Sequence, residues 1–163
     1  EAVPAHQHSN GGGWVADTAY VALTAHVGQE ARVYGQARVS GNAQVYGNAQ
    51  VSGEAWVSGE ARVSGNARVS GKARVSGKAR VSGEARVSIT YSAIRSDGYT
   101  FLVFPVKDGT LRISAGCRYF TVDDAREHWT RTRGGTALGR ESLLIVDYLE
   151  AVSKIARDEI LVT

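Results

Sequence analysis

Between Trp14 and Ser88 a valine stands at every sixth position, from Val15 through Val21 and Val27 to Val87. An alanine stands two residues before each from Ala19 to Ala85, with Gly13 in that place at the start. The unit reads Gly-x-Ala-Arg-Val-Ser, clearest in residues 59–64 and the four copies that follow. Side chains of a strand alternate between faces, so the alanine and valine point one way while x and Arg point the other. The pattern therefore predicts one narrow buried face and one polar face. The Ser-Gly pair turns the chain after three or four extended residues, because glycine enters backbone conformations that bulkier residues resist. A helix does not fit: a six-residue period drifts around a 3.6-residue turn, and a glycine every six residues costs about 1 kcal/mol each there. A strand this short buries nothing alone, so successive turns must stack edge to edge, and residues 14–88 are predicted to form a β-solenoid.

At Ile89 the period ends, and residues 89–163 are predicted as a small α+β cap. Residues 99–106 and 111–115 read as two strands joined at Lys107-Asp108-Gly109-Thr110, where Asp-Gly favours a hairpin. Thr121 followed by Asp124 resembles a helix start leading into residues 123–132, and Gly134-Gly135 breaks the chain. A longer helix over residues 140–157 is expected to turn Leu144, Tyr148, Val152 and Ile155 inward. The cap should cover the last rung of the solenoid, which otherwise offers unpaired backbone groups to any passing strand. Residues 1–13, with Pro4, His6, His8 and Gly11-Gly12-Gly13, have little to bury and are expected as a flexible or irregular lead-in.

An aliphatic residue followed at the fifth place by a small one, as in Val63-Ser64-Gly65-Asn66-Ala67-Arg68, resembles the hexapeptide-repeat superfamily. The resemblance implies a mainly β fold, a left-handed parallel β-helix shaped as a three-sided prism with three hexads per coil. Thirteen hexads then make a little over four coils, and residues eighteen apart sit one above another. Arg38, Trp56 and Arg74 share a column in which guanidinium groups flank an indole face. Glu54 falls beside Lys72 and Glu60 beside Lys78, and Asn48 and Asn66 form an amide ladder. Arg62, Arg68, Arg74, Arg80 and Arg86, with Lys72 and Lys78, make a basic collar spread over three sides. Tyr34 and Tyr46, where the repeat has serine, add outward apolar area suited to a partner or a sister subunit. Family habit implies a homo-oligomer, a trimer, associating through the flat sides.

Residues 89–163 also resemble the C-terminal module of hexapeptide-repeat accessory proteins of phages and prophages. The matching residues are Tyr99 to Phe101, Lys107 to Gly109, Gly116-Cys117, Phe120 to Asp124 and Tyr148 to Ala151. Where a His-Gly often follows the first helix of that module, this chain has Arg131-Thr132-Arg133-Gly134-Gly135. Many hexapeptide-repeat enzymes are acyltransferases using acetyl-CoA and a histidine base, which makes His26 a candidate. That base usually sits with an extended loop, and the repeat here carries no insertion between Val15 and Val87.

Composition narrows the function classes. The chain is 43% hydrophobic with a net charge of +3, and no apolar run approaches the roughly eighteen residues of a membrane helix, so no membrane partner is expected. One cysteine, Cys117, excludes an internal disulfide and fits a reducing compartment, the cytoplasm of the host cell, with a virion or secreted setting as alternatives. His6 and His8 lack a carboxylate partner in sequence, Cys117 and His128 lack a third orienting group, and the acids Asp123-Asp124 and Asp158-Glu159 sit at helix ends. Gly134-Gly135-Thr136 is too short for a phosphate loop. No catalytic set, metal or cofactor is expected. The reading is a non-enzymatic binding or scaffold protein of phage or prophage type that contacts a protein or polyanion through its coil faces. The binding residues are expected among Arg38, Trp56, Arg74, Tyr34, Tyr46 and the collar. Acetyl-CoA-dependent acyl transfer and nucleic-acid binding through the collar are the alternatives.

Overall fold

A computed structural model describes residues 3–106 and 108–161, with side chains as far as Ile155. The repeat folds as a parallel β-solenoid of about four turns. After β1 (Ala5–Gln7) and β2 (Trp14–Ala16), a two-residue strand begins at every sixth position. These are β3 (Tyr20–Val21), β4 (His26–Val27), β5 (Arg32–Val33), β6 (Arg38–Val39), β7 (Gln44–Val45), β8 (Gln50–Val51), β9 (Trp56–Val57), β10 (Arg62–Val63), β11 (Arg68–Val69), β12 (Arg74–Val75), β13 (Arg80–Val81) and β14 (Arg86–Val87). They stack as three sides: β2-β5-β8-β11-β14 on the first, β3-β6-β9-β12 on the second, β4-β7-β10-β13 on the third. Every rung pairs with the residue eighteen positions on, as in Arg38 with Trp56 and Val39 with Val57.

The regular strands are shorter than the three or four residues expected, but rung-to-rung hydrogen bonding continues beyond them and around the corners. Arg38 N donates to Ala55 O at 2.8 Å and Ser40 N to Val57 O at 2.9 Å, and at the corner Gln36 N donates to Gly53 O at 2.8 Å. Inside, alanine and valine alternate in fully buried columns from Ala25 to Ala85 and from Val27 to Val87. Two methyl-sized layers per side suffice to fill so thin a tube, and close packing there leaves no room for larger groups.

Residues 5–13, expected as a flexible or irregular lead-in, fold back onto the first coil. β1 pairs antiparallel with β2, and Asn10 to Gly13 close over β4, with Gly13 N donating to Val27 O at 2.9 Å. His8 is buried with Nε2 3.0 Å from Ala25 O. A segment with no apolar face is thus held by the backbone groups of the first coil, which have no lower rung to pair with.

The cap has two more strands than the predicted hairpin. β15 (Tyr91–Ile94), β16 (Thr100–Pro105), β17 (Leu111–Ala115) and β18 (Arg118–Thr121) form an antiparallel sheet in that order. Of the turn predicted between the central pair, Lys107 lies outside the described residues; Asp108 Oδ1 accepts from Thr110 N at 2.8 Å. β16 is buried on both faces. Leu102 and Phe104 plug the solenoid core, while Phe101 and Val103 face a second core under the helices α1 (Val122–Arg133) and α2 (Ala137–Leu161). Each side of the tube ends on a cap group: Arg74 N donates to Thr90 Oγ1 (3.0 Å), Arg80 N to Ser114 Oγ (2.8 Å), and Ala85 bridges Val106.

The start of α1 is as expected, with the Thr121 hydroxyl accepting from Asp124 N at 3.0 Å. The orientation of α2 is not. Its inward residues are Ser142, Val146, Leu149 and Ser153, while Leu144, Tyr148 and Ile155 are exposed and Val152 is half-buried. Ser142 and Ser153 enter the interior without cost in unpaired hydroxyls, because each bonds a carbonyl one turn back, Leu138 O and Leu149 O at 2.7 Å. The end of the predicted helix, Ala156 and Arg157, and the acids Asp158-Glu159 have side chains outside the described residues.

Candidate functional site

The second side of the solenoid carries the densest set of outward aromatic and cationic groups. Its rungs place Tyr20, Arg38, Trp56 and Arg74 in one column, with Arg38 paired to Tyr20 on one side and Trp56 on the other, and Trp56 to Arg74. At about 4.8 Å per rung, aromatic and guanidinium groups alternate along roughly 15 Å of flat β-surface. The Arg74 guanidinium carbon lies 5.5 Å from the Trp56 ring centroid, within cation–π range. Trp56 Nε1 donates to Ser40 Oγ at 3.4 Å, which ties the indole edge to the corner while 41% of the residue stays accessible. Gly35, Gln36 and Glu54 border the same shallow concavity. Tyr20 was not among the expected binding residues, although the eighteen-residue spacing that groups Arg38, Trp56 and Arg74 also reaches it.

Tyr34 and Tyr46 stand apart from this ladder. Tyr34 follows the first side, where its hydroxyl donates to Gln50 Oε1 at 3.2 Å. Tyr46 follows the third side and rests on Gly28, where a Cβ would come 3.2 Å from the Tyr46 Cβ. The collar is distributed as the spacing implies: Arg68 and Arg86 on the first side, Arg74 on the second, Arg62 and Arg80 on the third. Arg80 is half-buried against the cap, its Nη1 3.4 Å from Cys117 O. Between coils, Asn48 Nδ2 donates to Asn66 Oδ1 at 3.2 Å, and Lys78 Nζ lies 3.9 Å from Glu60 Oε2.

The candidate chemical groups are dispersed. His6 Nδ1 lies 2.9 Å from Asp17 Oδ1, while His8 is spent on the Ala25 carbonyl, so the two do not converge. Among the described residues no group of three or more His, Cys, Asp or Glu is placed to hold a metal ion. His26, half-buried on the third side, has Nδ1 3.2 Å from Asn10 Oδ1 and borders a shallow concavity with Thr24, Asn42, Gln44 and Tyr46. His128 packs against the rings of Phe120 and Trp129, at 5.0 and 4.8 Å between centroids. Burial, with Arg118, Arg131 and Arg133 nearby, pushes its pKa below the ordinary histidine value. Cys117 is exposed.

One polar centre had no sequence signal. Arg95, 2% exposed, makes a two-pronged pair with Asp97 (2.9 and 2.7 Å), donates to Ser142 Oγ at 2.9 Å, and lies over Tyr99 at 4.7 Å and Trp129 at 5.2 Å. The hydrogen bonds from Arg95 hold the Asp97 carboxyl down at about 2. The guanidinium is enclosed on all sides by the cap's own groups, so it joins β-sheet to α2 and offers nothing to a ligand.

A family model described as the YdcK beta solenoid repeat matches residues 31–47, 43–59 and 61–77, all within the coils. The array is a repeat β-solenoid. No curated protein and no solved structure matches the chain.

Proposed function

We propose that this chain is a non-enzymatic binding or scaffold protein, of the phage or prophage accessory type its sequence resembles, and that it contacts an anionic partner through the second side of the solenoid. The observation that carries the reading is the Tyr20–Arg38–Trp56–Arg74 ladder. Rigid rungs fix the spacing of Arg38 and Arg74, with the Trp56 ring between them, so a repeating anion can engage both without ordering the backbone first. Polyanion contact here is narrower than contact through the collar, whose arginines face three directions and include the cap-bound Arg80.

Titration with polyphosphate, followed by tryptophan fluorescence and calorimetry, tests this. Arg38→Ala/Arg74→Ala should weaken binding and flatten its dependence on salt, and Trp56→Ala should remove most of the fluorescence change. Arg62→Ala/Arg68→Ala should do neither. Binding that ignores the ladder variants, or is lost equally with the Arg62 and Arg68 pair, contradicts the assignment.

The His26–Asn10 contact supports acyl transfer as the second reading, since an amide oxygen on Nδ1 orients the ring with Nε2 free to take a proton. Acetyl-CoA hydrolysis or transfer that disappears in His26→Ala would favour it; no binding of acetyl-CoA removes it.

A further inference from the structure

A row of large apolar side chains on α2 points to solvent although Val146 and Leu149, with the half-buried Leu143 and Ile145, pack the opposite side. Inward stand Ser142, Val146, Leu149 and Ser153; outward, two residues further along at each step, stand Leu144, Tyr148, Ala151 and Ile155. A two-residue offset is about 200° around a helix, so the two rows lie on nearly opposite faces. The outer row has the 4-3-4 spacing of a helix–helix seam, and its three large members are 69%, 56% and 60% exposed.

The seam is also self-complementary. Two α2 helices laid antiparallel about a twofold axis between Tyr148 and Ala151 set each Tyr148 against the other copy's Ala151, large on small, and each Leu144 against the other's Ile155. Along one flank the half-buried Ile145 and Val152 meet their counterparts. Along the other, Asp147 of each copy approaches Lys154 of its neighbour. Both side chains are more than half exposed; Lys154 Nζ, 2.7 Å from Glu150 Oε1 within its own helix, has further protons to donate, and Arg126 uses only Oδ1 of Asp147, at 3.0 and 2.9 Å, which leaves Oδ2 without a partner among the described residues. A parallel pairing would instead set Asp147 and Lys154 against the apolar Ile145–Val152 flank of the other helix.

We infer that α2 is the self-association surface of this protein: a second copy of the chain docks on the Leu144–Tyr148–Ala151–Ile155 seam, antiparallel, to form a twofold dimer. The contact lies in the cap and is separate from the coil ladder, so this assignment stands or falls independently of the proposed polyanion contact. Four seam positions per helix make an interface below the usual ~1,200 Å² of stable complexes, so the dimer is a weak, reversible one.

Sedimentation equilibrium of the full chain over about 1–500 μM tests it. The wild type should show a monomer–dimer equilibrium, and Tyr148→Glu should weaken it by at least about tenfold with unchanged far-UV circular dichroism. Lys154→Glu, which places like charges at two symmetry-related contacts, should weaken it roughly 3- to 10-fold, and Asp147→Lys in the same chain should restore it, with unchanged far-UV circular dichroism showing that loss of the Lys154–Glu150 and Arg126–Asp147 pairs leaves the cap folded. A monomer throughout that range, or a dimer or trimer indifferent to Tyr148→Glu, overturns the assignment. Lys154→Glu weakening without rescue by Asp147→Lys overturns the antiparallel register.

Discussion

Gly53 and Gly83 have the same corner conformation, φ +65° and +68°, but different surroundings, and alanine at each separates two costs that the repeat combines. A Cβ on Gly53 would lie 2.9 Å from the backbone nitrogen of Gly71 and 3.3 Å from its Cα and carbonyl oxygen, in the rung above. A Cβ on Gly83 would meet nothing within 4 Å. Holding an L-residue in the left-handed region costs about 1–2 kcal/mol, so Gly83→Ala should destabilise by about that much. Gly53→Ala bears the same strain and also forces two coils apart, an overpacking penalty of about 1–3 kcal/mol, for a total of about 2–5 kcal/mol. The smaller entropy of the unfolded alanine chain affects both variants alike and drops out of the difference. Urea titrations by far-UV circular dichroism measure the two values directly. Equal destabilisation, within about 0.5 kcal/mol, would show that glycines eighteen residues apart do not lie in contact, and the stacking argument would fail.

Three further outcomes follow from the cap. Phe104 plugs the end of the tube and is fully buried, so Phe104→Ala should cost about 3–5 kcal/mol and expose the last coil to proteolysis before the first; unchanged stability would refute the plug. Asp97, held down at about 2 by Arg95, and Glu150, lowered by its bonds from Lys154 and Arg126, have folded pKa values below their unfolded ones. Their contribution is therefore complete above about pH 4.5 and lost as pH falls toward 2, so the thermal midpoint should drop over that window and drop less in Asp97→Asn. The exposed Cys117 should react stoichiometrically with a thiol reagent in the native protein, and protection until unfolding would place the β17–β18 turn wrongly.

Much of the solenoid was legible because its determinants are local and repeated. The Ala–Val columns, the serine-glycine corners and the polar outer positions each follow from one six-residue unit, and the three-hexad coil that the family resemblance implies adds the Arg38, Trp56 and Arg74 column. What escaped lies where contacts are long-range or depend on backbone alone. β1 is fully exposed and has no apolar pattern to mark it as a strand; it forms because β2 has an unpaired edge. The Arg95 centre joins residues 95 and 142, a pairing no short motif encodes. In α2 the spacing of Leu144, Tyr148, Val152 and Ile155 points to an inward stripe, but Val146 and Leu149, with the half-buried Leu143 and Ile145, face the core instead, beside two serines that satisfy their own hydroxyls within the helix.

The fold rests on coils of eighteen residues stacked in register, and paired cysteines test that most directly. In a Cys117→Ser background, Glu60→Cys with Lys78→Cys places two thiols on adjacent rungs of one corner, about 4.8 Å apart along the stack and within the roughly 4.4–6.8 Å that a disulfide spans between Cα atoms. Glu60→Cys with Lys72→Cys places them twelve residues apart, at different corners of the prism. Mild oxidation should close an intramolecular bond quantitatively in the first pair and not in the second; closure of the second, or failure of the first, contradicts the fold on which the ladder is built.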